Sequence, residues 1–127
     1  MKEKRMKRII DEYINAFNKF DVANMVKDLH EDMEFKNITN GEVNAQLKGK
    51  SAFENQLKQG DNLFKKREMK IIDQKCENDI IENNVDFKGV LALDIPDGPK
   101  AGELIKIKNK SVFHFKNGKI ILIEDIN

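Results

Sequence analysis

Tyr13, Asn109, Ser111 and the neighbouring acids Glu124 and Asp125 are the side chains of this sequence whose types suit one shared piece of chemistry. A tyrosine hydroxyl, a serine hydroxyl or an amide can donate a hydrogen bond to an oxygen that is gaining negative charge. A carboxylate sheltered from water can take a proton from carbon. The stretch ELIKIKNKSVFHF (103–115) shows how two of them could be brought inside. Successive strand side chains point to opposite faces, so Ile105, Ile107, Asn109, Ser111, Phe113 and Phe115 share one face. Leu104, Lys106, Lys108, Lys110, Val112 and His114 share the other. The lysine row must meet water, which makes the first face the inner one. Interior polar groups are costly without partners. Asn109 and Ser111 therefore either line a binding cavity or satisfy backbone beside a bulge.

Which acid joins them depends on the closing hairpin, FHFKNGKIILIED (113–125). A two-residue Asn117-Gly118 turn places Phe115 opposite Ile120 and Ser111 opposite Glu124, sending Glu124 inward. A three-residue Lys116-Asn117-Gly118 loop with Gly118 in a left-handed bulge places Phe113 opposite Ile121 and Ser111 opposite Ile123, and sends Asp125 inward. One residue of slip exchanges the two acids, and local chemistry does not choose between them.

The elements that must position these groups fall into two halves. Met6, Ile9, Ile10, Tyr13, Ile14, Phe17 and Phe20 recur at three- and four-residue spacing, the stripe of an amphipathic helix. Asp21 stands where an N-cap belongs, and Val22, Met25, Val26 and Leu29 continue as a short second helix. MEFKNIT alternates, Asn40-Gly41 signals a turn, and VNAQLKG follows. Ser51 and Glu54 have the spacing of a capping box, opening a third helix with Phe53, Leu57, Leu63 and Phe64. From Arg67 onward the pattern is strands: EMKIIDQKC, DIIENNVDFKGVLALD, ELIKIKNKSVFHF and KIILIED. Helices first and then long antiparallel strands is an α+β layout, with helices on one face of a bent sheet.

Composition bounds the function. The chain is one domain, residues 1–127, large enough to bury about two thirds of its unfolded surface. It has 23 basic and 22 acidic residues, and the pI of about 7.8 lies well below the basic range of nucleic-acid binders. No nucleic-acid partner is expected. The single Cys76 excludes an internal disulfide and suits a reducing compartment. There is no apolar run of about 20 residues for a membrane span, and the basic start meets Asp11 and Glu12 before any signal-like core develops. The expectation is a soluble, cytoplasmic protein without a membrane partner. His30 and His114 lack companions at metal-ligand spacing, and no phosphate-cradling glycine loop occurs, so neither metal nor cofactor is expected.

The order of elements, with Tyr13 in EYINAF, the break at Asp21, LHEDMEF, GKSAF and FHFKNGKI, resembles the nuclear transport factor two-like superfamily. Over nearly the whole chain it is similar to the small SnoaL-like and ketosteroid-isomerase-like proteins. The resemblance implies a cone-shaped barrel, in which N-terminal helices pack within a strongly curved, mostly antiparallel sheet around an apolar pocket, usually in a homodimer. Tyr13 falls where the isomerases keep an oxyanion-binding tyrosine. Their base falls on Asn37, which cannot take a proton, and their second oxyanion donor falls on Ser111. SnoaL-type cyclases carry an acid on the last strand, at the position of Asp125, and this favours the longer turn.

The expected pocket is thus Tyr13 and Asp125 as donor and base, with Phe17, Phe35, Asn37, Phe87, Leu91, Asn109, Ser111, Phe113 and Ile123 as lining. Its ligand would be small and apolar or carbonyl-containing. Proton abstraction next to a carbonyl, of isomerase or cyclase type, is one reading, and a non-catalytic homodimeric module binding an apolar or amphipathic ligand is the other. The residues alone do not decide whether the chain is an enzyme. Apolar residues on both faces of KIILI, with Val90, Ala92 and Val112 on outward faces, suggest pairing of two copies sheet to sheet.

Overall fold

The apolar stripe of the first helix is the axis around which the chain is arranged. In the computed structural model, which describes residues 1–127, α1 spans Glu3–Asn18 and buries Met6, Ile9, Ile10, Tyr13, Ile14 and Ala16. It ends where Phe20 takes a left-handed conformation (φ +58°). The Asp21 side chain then caps α2 (Val22–Val26), its Oδ1 accepting from the Asn24 N–H at 3.2 Å. Two strands follow, β1 (Leu29–Thr39) and β2 (Glu42–Lys48), joined through Asn40-Gly41, both at positive φ. Leu29 therefore opens a strand and does not close a helix.

The third helix corrects the capping-box expectation. α3 spans Lys50–Gly60 and its N-cap is Gly49, at φ +94°, with no side-chain cap. Ser51 already lies inside the first turn. Gly49 can take the sharp bend that follows β2, where its N–H donates to the Met33 carbonyl at 2.7 Å. Leu63 and Phe64 lie beyond the helix, and Phe64 is the first residue of β3 (Phe64–Glu77). The remaining strands are β4 (Ile80–Leu91), β5 (Leu104–Lys116) and β6 (Lys119–Ile126).

The six strands form one curved sheet in the order β2-β1-β6-β5-β4-β3. The barrel does not close, because β2 and β3 are free edges. Every pairing is antiparallel except β1 with β6. That parallel contact places the chain's first and last strands side by side, with Phe35 opposite Ile123 and Asn37 opposite Asp125. α1 packs on α2 and β3, and α3 packs on β1. At one end the core is closed and apolar, with Ile10, Leu29, Ile81 and Ile120 entirely buried and Phe113 nearly so. No helix is long and apolar enough to cross a membrane.

The closing hairpin resolves the question of the two acids by a route that the sequence reading does not contain. The loop has two residues: Asn117 and Gly118 sit at φ +53° and +81°, Lys116 pairs with Lys119, and Phe115 pairs with Ile120. This is the tight turn that Asn-Gly favours, not the longer Lys116-Asn117-Gly118 loop. The register then shifts between His114 and Phe115, leaving Ile121 as the extra residue of a bulge. Beyond it His114 pairs with Leu122, Phe113 with Ile123 and Ser111 with Asp125. Asp125 faces inward because the slip occurs at Ile121 and not in the turn.

Candidate active site

The inner face of β5 delivers Ser111 and Phe113, and the bulge in β6 delivers Asp125 and Ile123 opposite them. Phe113 and Ile123 are each 1% exposed and Ser111 is 4% exposed. Asp125 is half-buried among them. The Ser111 hydroxyl donates to Asp125 Oδ1 at 3.0 Å. Removal from water raises the Asp125 pKa from 3.8 to about 6, and the bond from Ser111 offsets part of that rise. A carboxyl group with this poise is ionised at neutral pH and remains a better proton acceptor than a surface aspartate.

Tyr13 reaches the same region from α1. Its ring meets Phe113 edge to face, centroids 5.4 Å apart at 76°. Burial, and next the negative charge of Asp125, push its pKa well above the ordinary tyrosine value, so the phenol stays protonated. Its hydroxyl makes no hydrogen bond within the chain and is not among the fully buried polar atoms. A protonated donor without an internal partner, coupled to a carboxylate of raised pKa, is what enolate formation asks for.

A polar cluster extends from Asp125 toward the open end. Asn37 Nδ2 donates to Asn44 Oδ1 at 2.9 Å, Asn44 Nδ2 donates to Thr39 Oγ1 at 2.8 Å, and Asn127 and Asn109 join at longer range. Asn83, fully buried on β4 opposite Ser111, donates to the Ser111 carbonyl at 3.0 Å and accepts from Gln74. Sequence reading passed over Asn44, Thr39, Asn127 and Asn83. Only Asn83 carried a signal, its alternation with Ile81 and Val85.

The aromatic residues divide into separate groups. Phe35 packs on Phe53 of α3, centroids 5.2 Å apart. Phe17 packs on Phe87 at 6.1 Å, and Phe87 on Phe64 at 5.2 Å. Phe17 of the latter group lies against Arg67, whose side chain is 5% exposed. The Arg67 guanidinium lies 3.8 Å from the Phe17 ring centroid and 4.2 Å from that of Phe20. Arg67 Nε donates to the Phe17 carbonyl at 2.7 Å, and Nη2 to Asp61 at 3.1 Å. An arginine on the same face as Met69 and Ile71 was the available clue.

Two expectations need correction. Leu91 is buried at the far end of β4, opposite Phe64, eight residues beyond Asn83 and on the order of 26 Å along the strand from the Asp125 region. In addition, none of the principal surface concavities is lined by Tyr13, Ser111 or Asp125. Of the expected lining only Phe87 borders one, between charged side chains of β3, β4 and β5. α1 packs on α2 and β3, Tyr13 meets Phe113, and the principal concavities lie away from the Asp125 region.

Comparison with known proteins places this arrangement. No curated protein sequence matches significantly. Three similar solved structures illustrate the fold. A putative polyketide cyclase from Xanthomonas campestris pv. campestris is 21% identical with a TM-score of 0.76, covering 98% of this chain and 90% of its own. An LEH-like epoxide hydrolase from M. tuberculosis is 17% identical with a TM-score of 0.76, covering 97% and 82%. A nuclear transport factor two-like protein of unknown function from Cytophaga hutchinsonii is 15% identical with a TM-score of 0.68, covering 94% and 87%. The family model for the SnoaL-like domain matches residues 10–123. The chain belongs to the SnoaL-like domain family and has the nuclear transport factor two-like fold.

Proposed function

We propose that the chain binds a small carbonyl compound against the inner face of its sheet and removes a proton from the carbon next to the carbonyl. The observation that carries this reading is the pairing of an inward, desolvated Asp125 with a protonated Tyr13 whose hydroxyl has no partner in the chain. Asp125 takes the proton, the C–H electron pair moves into the carbonyl, and Tyr13 donates to the resulting oxyanion. Returning the proton to another carbon completes an isomerisation, and attack of the enolate on a second carbonyl completes a cyclisation. Fold neighbours named as a putative polyketide cyclase and an epoxide hydrolase are in keeping with small-molecule chemistry. Because the region is covered, a ligand enters by displacing half-buried side chains such as Phe17 and Phe35.

A non-catalytic binding module is the second reading, favoured by the mutual hydrogen bonding of Asn37, Asn44 and Thr39 and by the engagement of Ser111 with Asp125. Deuterium wash-in at the α-carbon of 2-tetralone, followed by proton NMR, separates the two. Proton abstraction gives wash-in above the buffer rate that falls at least about 100-fold in Asp125→Asn. Binding of the ketone without faster exchange leaves the module reading in place.

The assembly proposed is a homodimer through the outward sheet face. There Ile80 is 39% exposed, and Val112 and Leu122 lie between the His114–Glu124 and Lys110–Glu82 pairs. Light scattering at tens of micromolar should give twice the 14.7 kDa chain mass, and a monomer there rejects this interface.

A further inference from the structure

Asn109 holds the one buried side-chain nitrogen or oxygen without a hydrogen-bond partner, its Oδ1. The hydrogen bonds around it are also the weakest of the inner cluster. Asn109 Nδ2 reaches Asn127 Oδ1 at 3.5 Å, and Asn127 Nδ2 reaches Asn37 Oδ1 and Thr39 Oγ1 at 3.4 Å each. These lie at the limit of useful bonding, whereas the remaining links are 2.8 to 3.0 Å. In the orientation of the structure Asn109 Nδ2 faces Asn127 Oδ1, and Asn109 Oδ1 is the atom left without a partner. An unpartnered acceptor beside loosely tied amides is poorly explained as scaffolding. It is well explained as a place for a donor from outside.

The position fits that role. Asn109 precedes Ser111 by two residues on the inner face, a step of about 7 Å, and Ile107, one step further, is 45% exposed at the open end. The groups joined to Asn109 are the uncharged side chains Asn127, Asn37, Thr39 and Asn44. A neutral donor is therefore matched there.

We infer that Asn109 is a specificity residue of the carbonyl site, accepting a hydrogen bond from a hydroxyl that the ligand carries several bonds away from its acidic carbon. The substrate class is then a hydroxylated ketone, in place of a wholly apolar one. This inference rests on the carbonyl-binding reading of Asp125 and Tyr13.

Its test uses 2-tetralone and 6-hydroxy-2-tetralone, titrated by NMR into the wild-type chain and into Asn109→Leu. The hydroxyl should tighten binding to the wild type about 10-fold, the equivalent of one net hydrogen bond. In Asn109→Leu the two ketones should bind equally. The ligand-free variant should also melt at or above the wild-type temperature, because a polar atom without a partner has been replaced by packing. Equal binding to the wild type, a preference that survives in Asn109→Leu, or a loss of several degrees in melting temperature each overturns the inference. If 2-tetralone shows Asp125-dependent exchange and no hydroxyl preference appears, only the inference falls. If neither ketone binds or exchanges, the carbonyl-binding reading falls and takes the inference with it.

Discussion

The two ends of the same inward face differ in kind. At the closed end Ile81, Phe113, Phe115 and Ile120 meet Met6, Ile9 and Ile10 of α1 in a dry core, every one of them 5% exposed or less. At the open end β5 and β6 carry Asn109 and Asp125 beside Asn37 of β1, and Phe17, Phe35 and Phe87 are half-buried. One backbone scaffold thus supports a part built for stability and a part that gives some stability up. The unpartnered Asn109 Oδ1 and the desolvated Asp125 carboxyl are both features that a protein built only to be stable would lack.

The sharpest way to break this contrast is to truncate both ends. Ile10→Ala, at a fully buried site, should cost about 2–5 kcal/mol in denaturant unfolding. Phe35→Ala at the half-buried open end should cost less, even though it removes more atoms. Equal costs would mean that the two ends are one continuous core.

Next in size is the stability effect of the inward acid itself. The folded Asp125 pKa is raised, so between about pH 4 and pH 6 the native state holds a proton that the unfolded chain has already lost. Stability from this group is therefore present below pH 4 and is lost as the pH rises through 6. Asp125→Asn should stabilise the protein by roughly 2 kcal/mol at pH 7–8, with the difference vanishing near pH 4. A variant destabilised at all pH values would show that the carboxylate acts in scaffolding.

The smallest effect belongs to the boundary between the ends. Tyr13→Phe should slow α-carbon exchange about 10-fold while leaving the melting temperature nearly unchanged, since the hydroxyl has no partner to lose. Comparing exchange rates with thermal melts separates this from a packing defect.

Much of the closed end could be read from the sequence, because periodicity reports burial. The α1 stripe, the Asp21 cap, the Asn40-Gly41 turn and the inner face of β5 all follow from local spacing, whereas the tight Asn117-Gly118 turn stands in place of the expected longer loop. The Ser51 capping box failed because the bend after β2 places Gly49 at the cap. The bulge at Ile121 had no signal: within four consecutive aliphatics from Ile120 to Ile123, alternation cannot show where a residue has been inserted. The correct acid was reached through the resemblance, and its pairing came out as Ser111 with Asp125 where the longer turn gave Ser111 with Ile123. The parallel pairing of β1 with β6 and the enclosure of Arg67 by two phenylalanines join distant segments, which single-strand patterns do not report.

The central claim is that Asp125 is a sheltered base, and its carboxyl titration tests this most directly. Carbon-13 NMR of aspartate-labelled protein, with the resonance assigned by Asp125→Asn, should give a midpoint near 6. Ser111→Ala should move it higher, because the Ser111 hydroxyl bond favours the ionised form. A midpoint at or below about 4, unchanged by Ser111→Ala, would place the carboxylate in water and contradict the account.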